Sequence, residues 1–243
     1  MTTILRATDV EHSYGLVTVL EGVSLELHRG TVTALIGPNG SGKTTFLRAV
    51  AGLHEPSGGD IAYEGPETTR RIGYLPQQPA FRPGQSVADA LAFYASLVGE
   101  SPQTALAKLD RVGLADAADR DVDALSGGMR RLVGIAQATI GDPPLVVLDE
   151  PASGLDPEMS LHIFDALGDL AARDTAVLLS SHDLALVADT ADEIALLDEG
   201  EIAQHGPPAD VCERVGADSL LEAFKTSIAA EPGTVNVRGE QHG

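Results

Sequence analysis

G-P-N-G-S-G-K-T-T, Gly37 to Thr45, is the stretch whose chemistry decides the class of the chain. It satisfies G-x-x-x-x-G-K-[ST] in full at Gly37, Gly42, Lys43 and Thr44, with Pro38, Asn39, Gly40 and Ser41 as the loop and Thr45 just beyond. The glycines let the backbone curl until its N–H groups face phosphate oxygens. Lys43 adds a point charge for the β- and γ-phosphates, and Thr44 offers a hydroxyl to Mg²⁺. The surroundings are those such a loop requires. Before it, T-V-T-A-L-I (Thr31 to Ile36) is nearly all apolar and carries β-branched residues, the pattern of a buried parallel strand. After it, T-T-F-L-R-A-V-A-G-L reads as a helix that stops around Gly52.

Composition agrees with an α/β protein. The 243 residues are 43% hydrophobic but only 4% aromatic, without Trp, which suits an Ala/Val/Leu-packed core and argues against disorder. A single cysteine, Cys212, excludes an internal disulfide and a Cys-rich metal site, and points to a reducing, cytosolic setting. No apolar run approaches the roughly 18–20 residues of a membrane-spanning helix, and the N-terminus has no signal-like core. Thirty-six acidic residues against sixteen basic ones give a net charge of −20, and the only lysines are Lys43, Lys108 and Lys225. Nucleic acid and anionic lipid repel such a surface, so neither a nucleic-acid partner nor direct lipid insertion is expected. The acidity fits either charge repulsion for solubility in a genome that favours Arg over Lys, or adaptation to high salt.

Along the chain, V-T-V-L and V-S-L-E-L alternate as strands, with Gly15, Gly22 and Gly30 as turns. D-I-A-Y and R-I-G-Y-L follow the Pro56–Gly59 turn cluster as a short strand pair. From Ser86 to about Gly141 helical periodicity takes over, which marks a helical insert. Strand patterns return at L-V-V-L-D-E and T-A-V-L-L-S-S, separated by the helix P-E-M-S-L-H-I-F-D-A-L-G-D-L. A hairpin turning at Asp198 to Gly200 and short helices over Pro208 to Ile228 complete a domain of residues 1–228. Residues 229–243 lack periodicity and are expected to form a loose tail.

The strand L-V-V-L-D-E delivers Asp149 and Glu150 to its C-terminal edge, where open α/β sheets bind ligands. Asp149 suits a Mg²⁺ shell and Glu150 suits a general base for water. His182, in S-S-H-D, follows another apolar strand and reaches the same edge, near a γ-phosphate. Gln77, at the end of the strand Arg71 to Leu75, is placed to bond Mg²⁺ or the attacking water. A second anion grip is L-S-G-G-M-R-R, Leu125 to Arg131: a hydroxyl residue and two glycines at a helix start leave free N–H groups open to close approach.

In this order and spacing the elements resemble the nucleotide-binding subunit of an ABC transporter, over about Ile4 to Phe224. The resemblance implies an α/β P-loop NTPase core with a parallel central sheet, an N-terminal antiparallel β subdomain and an inserted α-helical subdomain over about 86–141. It implies that Tyr14 stacks on adenine, that Gln77 lies in the glutamine loop, and that Ser126, Gly127, Gly128 and Met129 form the signature sequence. Ser153, Gly154, Leu155 and Asp156 match the loop that crosses the dimer interface, and His182 the switch histidine. Met129 departs from the glutamine most common in the family, so a polar contact from that position is lost while the one from Ser126 is kept.

The resemblance also implies ATP and Mg²⁺ as ligands, with Thr44, Gln77 and Asp149 about the metal and Glu150, His182 and Gln77 about the reaction. Two subunits, alike or different, would close head to tail, each ATP held on one P-loop and capped by the other subunit's signature helix. A transmembrane permease subunit would dock beside the loop after Gln77, with Pro79 and Phe81 exposed. The protein would then sit in the cytoplasm at the inner face of the membrane. S-G-G-M with Arg130 and Arg131 after it is similar to exporter branches. The other reading is a soluble ABC ATPase of assembly, as in iron–sulfur cluster biogenesis, with no membrane partner.

Overall fold

Strands β3 (Val32–Ile36), β6 (Leu145–Leu148) and β7 (Ala176–Ser180) are buried at every position. Successive side chains nevertheless serve different cores. Leu145, Val147 and Leu178 pack into one, while Val146, Leu148, Val177 and Leu179 pack into the other. Only a sheet covered on both faces has that requirement, so its strands read as unbroken apolar runs. In the computed structural model, which describes residues 2–229, they lie in a six-stranded sheet with β5 (Ile72–Leu75), β8 (Glu193–Asp198) and β9 (Glu201–Gly206). The order is β5-β6-β7-β3-β8-β9, parallel throughout except for the edge hairpin β8–β9.

One face is closed by α1 (Lys43–Val50) and by an antiparallel sheet of β1 (Thr3–Tyr14), β2 (Val17–His28) and β4 (Gly58–Tyr63). Phe46, Leu47 and Val50 of α1 fill the space between the two sheets with Leu5, Leu20 and Leu25. The other face carries α4 (Gly127–Ala138), α5 (Pro157–Ala171), α6 (Leu184–Thr190), α7 (Pro208–Val215) and α8 (Leu220–Ala229). Fully buried Phe46 and Phe164 anchor the two cores, each contributing about 1.5–3 kcal/mol by burial.

The helical insert begins with α2 (Val87–Leu97) and α3 (Pro102–Arg111), packed on α4 through Leu91, Leu109 and Leu132. Ser86 and Ser101 cap the two helices by accepting from Asp89 N and Thr104 N, which satisfies donors left free at a helix start. The insert is tied to the body at its far end. Arg70 Nη1 donates to the carbonyls of Gln137 (2.9 Å) and Ile140 (3.0 Å) at the end of α4, and the buried Lys108 ammonium pairs with Asp142.

Three expectations need correction. Gly22 is not a turn: it lies inside β2, at a bulge where the β1 register slips between Val10↔Val23 and Glu11↔Glu21. The stretches D-I-A-Y and R-I-G-Y-L do not pair with each other, because β4 joins β1 while β5 joins β6. Pro79 and Phe81 are half-buried, with Phe81 against the core and Pro79 beside Gly134 of α4. The tail expected over 229–243 lies outside the described residues except for Ala229, the last residue of α8.

Parallel register brings the chemistry to one edge. Leu148 pairs with both Leu75 and Leu179, and Leu35 pairs with Ser180, so β5, β6, β7 and β3 end side by side. The residues that follow them are Gln77, Asp149 and Glu150, His182, and the Gly37 loop.

Candidate active site

The loop after β3 passes close under β8, where a Cβ on Gly37 would fall 2.1 Å from the Leu197 carbonyl oxygen. Gly42 takes φ 105°, a left-handed conformation that side-chain-bearing residues rarely adopt, and so starts α1 at Lys43. Lys43 is buried, and its ammonium donates to the carbonyls of Gly37 and Pro38, both at 2.9 Å. Burial lowers its pKa, and the carboxylates of Glu150 and Asp149 oppose that shift.

Asp149 is buried at the end of β6. Its Oδ1 accepts from Ser180 Oγ (2.9 Å) and Thr44 Oγ1 (3.1 Å), while Oδ2 is buried without a partner. A buried carboxylate oxygen with no donor is costly unless a cation or another donor meets it. Hard oxygen ligands beside a phosphate loop suit Mg²⁺, which takes one or two carboxylates and fills its shell with phosphate and water. No cluster of three or more His, Cys, Asp or Glu able to hold a metal occurs among the described residues.

Glu150 sits on a left-handed backbone, φ 48°, unusual for a residue with a side chain. Its peptide N–H donates to Ser180 Oγ (2.8 Å), and its carbonyl accepts from Arg131 and from Ser153 N (3.3 Å). The carboxylate is held at both oxygens: His182 Nε2 lies 2.7 Å from Oε1, and Gln77 Nε2 donates to Oε2 at 3.1 Å. The three residues expected about the reaction therefore meet, from three strands, on one carboxylate. An open cleft of about 400 Å³ lined by Asn39, Gly40 and Gly42 to Thr45 also takes in Tyr14, Gln77 and Glu150.

A family model described as ABC transporter matches residues 20–153, more than half of the chain. The chain belongs to the ABC transporter family. It is 32% identical over 236 residues to a linearmycin resistance ATP-binding protein of Bacillus subtilis, an alignment spanning 93% of this chain and 76% of that one. A Nod factor export ATP-binding protein of Cupriavidus pinatubonensis is 34% identical over 253 residues, spanning 99% of this chain and 78% of that one. Import proteins for methionine and phosphonates are also among the relatives. A solved structure of the ATP-binding subunit of an ABC transporter superposes with TM-score 0.82 at 28% identity, covering 92% of this chain and 99% of that one. The chain is an ABC ATPase. No helix among its described residues is long and apolar enough to cross a membrane.

The remaining expected residues of this ABC ATPase fall in three places. Tyr14, half-exposed at the cleft rim, has His12 edge-on at 4.8 Å and His54 at 6.2 Å between ring centroids. The signature residues do not line that cleft. Ser126 Oγ accepts from Met129 N (3.2 Å) and so caps α4, which leaves its own O–H free to donate. Ser126 and Gly127 are exposed, whereas Gly128 is buried against Met159 of α5, where its missing side chain serves packing. Asp156 caps α5 by accepting from Met159 N (3.0 Å), and Ser153 to Leu155 line a cavity with His182 and Leu220.

Ser180 was not foreseen, although it lies two residues before His182 and the strand period puts it at the same edge. His12 was missed too, two residues before Tyr14 on the same face of β1. Lys43→Met tests the loop. At ATP a hundredfold above its Kd, the parent gains about 2.7 kcal/mol of stability. The variant is expected to gain none in the same thermal-shift measurement, and equal stabilisation would contradict the assignment.

Proposed function

We propose that the chain binds and hydrolyses Mg²⁺-ATP as one of two copies or close relatives closed head to tail, and powers export through a separate transmembrane subunit. One observation carries the pairing. The chain has two anion grips, and the exposed one at Ser126 and Gly127 is not part of its own nucleotide cleft. A second molecule brought face to face would supply the missing half of each site.

Within such a site, Lys43 and the loop N–H groups hold the phosphates, and Tyr14 receives the adenine face. Mg²⁺, held by Thr44 and Asp149 with Gln77 beside them, would neutralise charge on the phosphates when bound. Glu150 takes the proton from the attacking water, with His182 and Gln77 fixing its carboxylate. The signature of the partner copy donates to the γ-phosphate through Ser126 and Gly127. The groove of about 430 Å³ between Gln77 to Phe81 and Gly127, Arg130 and Arg131 is where the membrane subunit docks.

Export is supported by the drug-resistance and export names among the relatives and by S-G-G-M-R-R. Such docking would hold the chain peripherally at the inner membrane face. Purification of the chain from solubilised membranes tests this reading. A polytopic hydrophobic protein is expected to co-elute and to raise ATP turnover. Recovery only with soluble assembly factors would favour the assembly ATPase instead.

A further inference from the structure

Arg131 lies one turn into α4, just beyond the exposed signature residues, and its guanidinium donates to the backbone carbonyl of Glu150. The two residues belong to different parts of the molecule, the helical insert and the end of the central strand β6. The carbonyl that Arg131 grips is that of the one residue other than glycine in the site held on a left-handed backbone, φ 48°. Such a peptide keeps its conformation only when its surroundings over-determine it. Here the restraints are Ser180 Oγ on its N–H side, and Arg131 with Ser153 N on its carbonyl side. The insert thus contributes the charge-assisted bond of the set.

We propose that Arg131 is a positioning residue, which carries the orientation of the helical insert to the carboxylate of Glu150. The groove that presents Arg131 on one side presents Gln77 on the other, and Gln77 Nε2 donates to Glu150 Oε2. Whatever fills that groove therefore bears on Glu150 by two routes, through the side chain by Gln77 and through the backbone by Arg131. A shift of α4 relative to β6 releases the peptide and swings the carboxylate off the water. Arg131 does this without touching nucleotide, since it does not line the cleft. The inference rests on the reading of Glu150 as the base.

Steady-state hydrolysis and nucleotide titrations on the full-length chain test it. Arg131→Met is expected to lower kcat by about 10- to 100-fold, the loss of one charge-assisted hydrogen bond, with KM and the Kd for ATP unchanged. Arg131→Lys, which keeps a charged donor, recovers most of the rate. In a Glu150→Gln background Arg131→Met lowers the residual rate little further, because both act through one group. If the Met variant does not fold, Arg131→Gln gives the same comparison with a weaker donor. Parent-like kcat in the Arg131 variants, or a full further loss in the Glu150→Gln background, overturns the proposal. Parent-like turnover by Glu150→Gln alone overturns instead the reading of Glu150 on which it stands.

Discussion

Glu150→Gln is expected to lower ATP turnover by about 10²- to 10⁴-fold, the usual contribution of a positioned general base, while ATP binding stays at the parent level. The amide matches the carboxylate in size and still offers one oxygen to His182, so the site keeps its shape. It gives up the acceptor that Gln77 Nε2 uses and, above all, the basicity that takes a proton from water. Binding depends on Lys43 and the Gly37–Thr45 loop, to which Glu150 contributes a charge that favours the protonated Lys43 and no hydrogen bond. ATP loaded onto such a variant persists, so the paired state should accumulate and appear in size-exclusion chromatography with ATP and not with ADP. Rapid hydrolysis by the variant would remove Glu150 from the mechanism.

Substitution at Ser126 should give a comparably large effect from the side of the partner copy. Ser126→Arg places a long cation where a partner's γ-phosphate would lie against the helix start. It also deletes the cap on Met129 N, at about 1 kcal/mol of helix stability. Ser126→Asp separates the two effects, because aspartate caps a helix as well as serine does but repels phosphate. Both variants are expected to bind ATP at Lys43 nearly as the parent does. Both should lose at least about 10²-fold in turnover, the scale of removing one transition-state donor. Proportional losses of binding and turnover would mean that Ser126 serves its own chain's nucleotide.

The sequence made the chemistry legible where function demands particular residues at fixed spacing. Gly37 to Thr45, Asp149–Glu150 and His182 could each be assigned a role because each follows an apolar strand, and parallel pairing does bring those strands to one edge. Less visible were features set by partners distant in the chain. Nothing local in D-I-A-Y and R-I-G-Y-L says that they join different sheets, and Gly22 looks like a turn until the β1 register is known. Phe81 reads as an exposed apolar residue, yet it is half-buried against the core. The contact from Arg131 to Glu150 depends on how α4 meets β6, which no pattern within L-S-G-G-M-R-R encodes. That stretch first resembles a spare phosphate grip; in the folded chain it is an exposed helix start outside the cleft, bonded to the Glu150 carbonyl through its second arginine.

The central claim, that each ATP is shared between two copies, is tested most directly by mixing two inactive variants. Lys43→Met lacks the loop grip and Ser126→Asp lacks the signature grip, and each alone should be nearly silent in hydrolysis. In a head-to-tail pair of one of each, one site combines both defects and the other combines an intact loop with an intact signature. An equimolar mixture should therefore regain activity from roughly a quarter of its sites under random pairing. No recovery on mixing, with both variants folded and able to pair, would contradict the account.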